Sequence, residues 1–164
     1  MVEHLKVEFS PLLPLGFHEM TLLSLHEICV ARFPSSVTRS SIMAGLENIV
    51  DQLKYCRIKM SLWIDGSFMT EKLDPEDSDV VACISGKDFD AATQQQRLTI
   101  QRLVEADNKL PYVCDFYAFV EYEKGHRLAA QSEWMRAYWL RQFGFSRHDE
   151  PKGLAVVNLP VFAS

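Results

Sequence analysis

The chain has 164 residues, 48% of them hydrophobic and 24% charged, which supplies one core and fits a single domain, 1–164. Its formal net charge of −5 argues against a broad, sequence-independent nucleic-acid coat, because phosphate neutralisation dominates such binding. No stretch approaches the roughly 18 apolar residues of a membrane helix, and the N-terminus, Met1 to Lys6, carries charge early and lacks the apolar core of a signal peptide, so a cytoplasmic protein without a membrane partner is expected.

Residues 1–20 are rich in turn formers. Pro11, Pro14 and Gly16 break regular structure, and the segment reads as an extended N-terminal arm lying on the domain. A helix is expected from near Thr21, with Ser24 and Glu27 as a capping pair and Pro34 as its end. A second helix follows, capped by Ser36 or Thr38. Its stripe Ile42, Leu46, Ile49, Leu53 and Cys56 recurs at helical spacing. Met60 to Ile64 is a short apolar strand stopping at Asp65-Gly66-Ser67.

Ser78 to Ser85 is almost continuously apolar, as suits a strand covered on both faces. Residues 88–108 read as one helix with Ile100, Leu103 and Val104 inward. Tyr112 to Val120 reads as a strand rich in aromatic and β-branched residues. A helix over 126–143 ends at Gly144, and a last strand covers Leu154 to Leu159. The four cysteines, Cys29, Cys56, Cys83 and Cys114, form no C-x-x-C pair and sit in apolar runs, which points to buried free thiols rather than a zinc site.

One segment carries chemistry. A strand runs into Gly66-Ser67, where glycine lets the backbone approach a phosphate and a hydroxyl stands ready to donate. After nine further residues comes Asp77-Ser78-Asp79 at the mouth of the next strand. Side chains two apart on a strand share a face, so both carboxylates project together. Converged carboxylates repel unless a cation joins them, and Mg²⁺ favours one or two carboxylates with phosphate oxygens and water. Asp115, inside an apolar strand, needs a partner of its own and completes a cluster if its strand lies beside that of Asp79.

The remaining polar residues are weighed against plainer roles. Asp65 is read as a turn cap, with membership of the acidic site as the alternative. Lys72, Arg147 and Lys152 are candidates to neutralise a triphosphate, against the reading as surface cations. Trp63 and Trp139 read as core aromatics rather than base-stacking platforms. Arg136 and Arg141 read as a solvated helix face, and His126 and His148 show no partner pattern.

Gly-Ser, a short spacer, Asp-x-Asp and a later strand aspartate together resemble the minimal nucleotidyltransferases of the DNA polymerase beta superfamily. Trp63-Ile64-Asp65-Gly66-Ser67-Phe68, with Thr70, Lys72, Pro75, Asp77 and Asp79, is similar more narrowly to a family of small prokaryotic nucleotidyltransferase-like proteins. Tyr138 to Gly144, with Arg147, Lys152 and Gly153, resembles the C-terminal end of that family. The likeness covers residues 40–158, and the Gly-Ser to Asp-x-Asp spacer is one residue shorter than usual.

The resemblance implies an α/β nucleotidyltransferase fold, a short mixed sheet flanked by helices. It implies that Asp77, Asp79 and Asp115 are catalytic and hold Mg²⁺ or Mn²⁺, and that Gly66 and Ser67 contact phosphate. The implied reaction moves a nucleoside monophosphate from an NTP to a hydroxyl of a protein or a tRNA. A toxin–antitoxin or defence setting, with a partner protein or a homo-oligomer, belongs to the same expectation. A catalytically silent nucleotide- or partner-binding module is the alternative.

Overall fold

The computed structural model describes residues 7–106 and 113–160. Among them are five strands and five helices: β1 (Gly16–Glu19), α1 (Leu22–His26), α2 (Arg39–Cys56), β2 (Met60–Asp65), β3 (Ser78–Ser85), α3 (Gly86–Ala91), α4 (Gln94–Glu105), β4 (Cys114–Glu121), α5 (Ala129–Phe143) and β5 (Gly153–Leu159). The strands form one mixed sheet in the order β1-β5-β2-β3-β4. β2 runs antiparallel to both β3 and β5, whereas β3–β4 and β1–β5 are parallel. The mixed α/β architecture expected from the sequence is therefore present.

β3 is apolar along its length because helices cover both its faces. Val80, Ala82 and Ile84 join the α2 and α4 side of the core with Leu62, Ile64, Ile100 and Leu103. Val81 and Cys83 join Trp63, Phe119 and Phe143 on the α5 side. The expected stripe of α2 is buried throughout. Ser36 does the capping of α2: its hydroxyl accepts from the amides of Thr38 and Arg39.

Four local readings change. The arm over residues 1–20 is not wholly irregular, since Gly16–Glu19 adds β1 to the sheet; residues 1–6 lie outside the described ones. The capping pair of α1 is Thr21 with Ser24, not Ser24 with Glu27, and the chain continues through a π-helical turn, Glu27–Ala31. The helix over 88–108 is two helices. Ala92 turns extended, and Thr93 with Gln96 starts α4 as a capping box. Val104 points outward at 42% exposure. The ends assigned to 107–108 and to Tyr112 lie outside the described residues. All four cysteines are free and buried, and burial pushes the thiols of Cys29, Cys83 and Cys114 up to about 12.

β1 is held by close backbone approach. Gly153 faces Gly16 across the pair, and a Cβ on Gly153 would run into the Pro14 carbonyl and the Leu13 side chain. Gly153→Ala is therefore expected to destabilise the fold by about 1–3 kcal/mol, as overpacking does. Urea unfolding measures the loss, and amide exchange should rise at residues 16–19 before it rises in β2 or β3. Unchanged exchange at 16–19 would refute this account.

Candidate functional site

β2 ends at Asp65 because Gly66 turns the chain with φ 84°, a conformation that favours glycine. Ser67 opens a 3₁₀ turn, Ser67–Met69, anchored by the buried Phe68 and Met69. The Thr70 hydroxyl donates to the Ser67 carbonyl at 2.8 Å and closes the turn. Gly66 and Ser67 themselves remain half-buried, and their carbonyls accept from the Met69 and Thr70 amides.

Strand register assembles the acids. Asp79 in β3 stands opposite Asp65 in β2 and opposite Asp115 in β4. By strand alternation all three lie on the α5 face, the face of Trp63, Val81 and Phe119. Asp77 precedes Asp79 by two residues and raises its pKa as a nearby charge. The structure thus brings Asp79 and Asp115 to one end and one face of the sheet, with Asp77 just ahead of β3 and near enough for its charge to act on Asp79. Asp65 joins them, which the turn-cap reading missed. Asp65 ends β2 and Asp79 is the second residue of β3, and the antiparallel register sets them opposite each other.

The electrostatics are strained. Burial is the largest cause that pushes Asp79 up to about 6, followed by the charges of Asp77, Asp65 and Asp115. Burial likewise raises Asp65 to about 6, opposed by Lys152 and by the Gly66 amide. Lys152 donates to both Asp65 oxygens, at 2.8 and 2.7 Å, with both side chains largely buried. Asp65 thus keeps a counter-ion at neutral pH, while Asp79 sits among like charges. Tyr117, two residues beyond Asp115 on the same face, packs against Trp139 at 4.8 Å and leaves part of its ring exposed.

Lys152 is therefore inside the acidic constellation, paired with Asp65. At Lys72 and Arg147 the structure fixes the main chain: the Lys72 carbonyl accepts from Arg39, and the Arg147 amide donates to the Glu8 carboxylate. Trp63 is buried between Phe17 and Phe119, and Arg136 lies over its ring. A cavity of about 370 Å³ opens at the other end of these strands, beside Lys59, Cys83, Lys87 and Glu121, so it is separate from the acids.

The donors at this end of the sheet are hard carboxylate oxygens, the type a divalent cation takes. A Cβ on Gly66 would lie 2.5 Å from Asp79 Oδ2, so the turn and that carboxylate approach closely only because residue 66 is glycine. Among the described residues no group of three or more acids, histidines or cysteines is arranged to hold a metal ion. Mg²⁺ needs only one or two carboxylates and completes its shell with phosphate oxygens and water.

The strain on Asp79 has a signed consequence. Its folded pKa, about 6, lies above the usual 3.8, so the folded state holds that proton more tightly. This contribution is present below the usual value and is lost as pH rises through about 6. Asp79→Asn should raise Tm by a few degrees at pH 7 in chelator, and should give no gain near pH 4. Thermal unfolding by circular dichroism measures both; a lower Tm at pH 7 would remove the electrostatic account.

A protein-family model described as a family of unknown function (DUF6932) matches residues 6–158. No curated protein and no solved structure matches the chain.

Proposed function

We propose that this chain, which belongs to the DUF6932 family, is a metal-dependent nucleotidyltransferase of nucleotidyltransferase fold. The observation that carries the reading is the cross-strand row Asp65–Asp79–Asp115, with Asp77, beside the positive-φ turn at Gly66-Ser67. Carboxylates brought this near one another favour a cation between them, and the turn beside them suits phosphate.

Asp77, Asp79 and Asp115 would hold Mg²⁺ or Mn²⁺. Such an ion, when bound, supplies charge neutralisation at the phosphates and lowers the pKa of a hydroxyl. The Gly66 and Ser67 turn and the Ser67 hydroxyl orient phosphate oxygens. Lys152 balances triphosphate charge while Asp65 holds it in place; Lys72 and Arg147 are further candidates for that charge. The acceptor oxygen forms a bond to the α-phosphorus as the bond to the bridging oxygen of the β-phosphate breaks. Pyrophosphate leaves with that electron pair, and Asp115 takes the hydroxyl proton.

The acceptor class, a protein side chain or a tRNA end, follows from the resemblance, as does a toxin–antitoxin setting with a partner protein in the cytoplasm. Incubation with each labelled NTP, Mg²⁺ and candidate acceptors tests the activity. Transfer should require divalent cation and stop on chelation. Asp77→Ala and Asp79→Ala should each lower the rate by on the order of 100–1000-fold, as loss of a central electrostatic group does. Equal transfer by wild type and variants rejects the enzyme. NTP binding without transfer would favour the silent nucleotide-binding module instead.

A further inference from the structure

The geometry points to Arg39 as the positioning residue of this site, the group that fixes the path of the chain between the Gly66-Ser67 turn and Asp77. The inference rests on the nucleotidyltransferase reading for the site's use. Its physical basis stands separately.

Arg39 opens α2 and is fully buried. Its hydrogen bonds go to main-chain carbonyls. Nε donates to Leu73 at 3.2 Å, Nη1 to Cys29 and Phe68 at 2.8 Å each, and Nη2 to Thr70 at 2.6 Å and Lys72 at 2.5 Å. A guanidinium has five N–H groups in a planar fork, so every donor is used. The plane rests on the Phe33 ring, 3.7 Å from its centroid. Four of the five acceptors fall within Phe68–Leu73.

A connection of this kind ordinarily lies on the surface with its carbonyls in water. Here one buried cation gathers them. The adjoining residues continue the strap. Asp74 accepts from the Ser36 hydroxyl at 2.9 Å and from the Val37 amide at 2.8 Å. Glu71 pairs with Arg32 at 3.2 Å. The connection is thereby tied to the chain just before α2 along most of its length, and Asp77 emerges at a set place relative to Ser67. Phosphate contact and metal contact must be held to a fraction of an ångström for such chemistry, which a freely moving connection does not provide.

Lysine at this position keeps the charge but offers three donors from one point, and cannot span the five carbonyls. In Arg39→Lys, amide exchange over 66–77 should rise about 10-fold or more while β2 and β3 change little. Mn²⁺ affinity, read by water-proton relaxation, should fall by about 10-fold or more, as loss of an orienting group does. A uniform rise in exchange would mean that Arg39 only stabilises the fold, and unchanged Mn²⁺ affinity with a loosened connection would also overturn the assignment.

If Arg39→Lys does not fold, Phe33→Leu removes the ring beneath the guanidinium and should loosen 66–77 in the same selective way. In the wild type the Met69, Thr70 and Glu71 amides, which donate to the Gly66, Ser67 and Ser10 carbonyls, should exchange as slowly as the strand ends the connection joins; fast exchange at all three rejects the strap without any variant. If the wild type binds no Mn²⁺, the nucleotidyltransferase reading is what fails. The exchange pattern then still decides whether Arg39 fixes this segment.

Discussion

Asp79 has a carboxylate opposite it on each side. β2 sets Asp65 against it from one direction, and β4 sets Asp115 from the other. Backbone pairing, not side-chain affinity, imposes this arrangement, because left to themselves the three charges would separate. What holds the strands in that register is the apolar ladder further along. Ile64 with Val80, Leu62 with Ala82, and Val80 with Phe116 pair in the same sheet and pack under α2 and α4. A one-residue slip would send those side chains to the wrong face, so the core enforces the register and the register enforces the acids.

The energetic logic is that of a site assembled at the expense of local comfort. Two carboxyls sit near pKa 6 in an otherwise ordinary interior. Lys152 relieves Asp65 and reaches Asp79 only as a neighbouring charge. Strongly perturbed carboxyls beside a tight glycine turn are a pattern expected of working sites more than of purely structural ones. Structure of this kind persists because the large core on both sides of β3 supplies the stability that the acid row withholds.

Much of the fold was legible in the sequence. The α2 stripe and the β3 run lie where the pattern put them, the first by its helical period and the second as a short apolar run of strand length. The acids Asp77, Asp79 and Asp115 were also legible as types at spacings. Their meeting on one face was not, because it depends on which strands are neighbours and in what register. Asp65 looked like a turn residue, for its role comes from a lysine far along the chain at 152. Arg39 looked like any polar residue at a helix start, and nothing local announces five carbonyl partners. The single helix over 88–108 failed because Ala92-Thr93 reads as helical by composition, whereas Thr93 with Gln96 forms a second start. β1 was hidden by its prolines, which lie just ahead of the strand.

The four thiols have a practical bearing. Each is enclosed by the core, and three have their ionisation driven towards strongly alkaline pH. Maleimide and disulfide reagents react with thiolate, which these positions hardly supply at neutral pH. A new cysteine on a solvent-facing helix position would then take a fluorophore or spin label in preference to all four native ones, and the molecule is fit for site-directed labelling without a cysteine-free background.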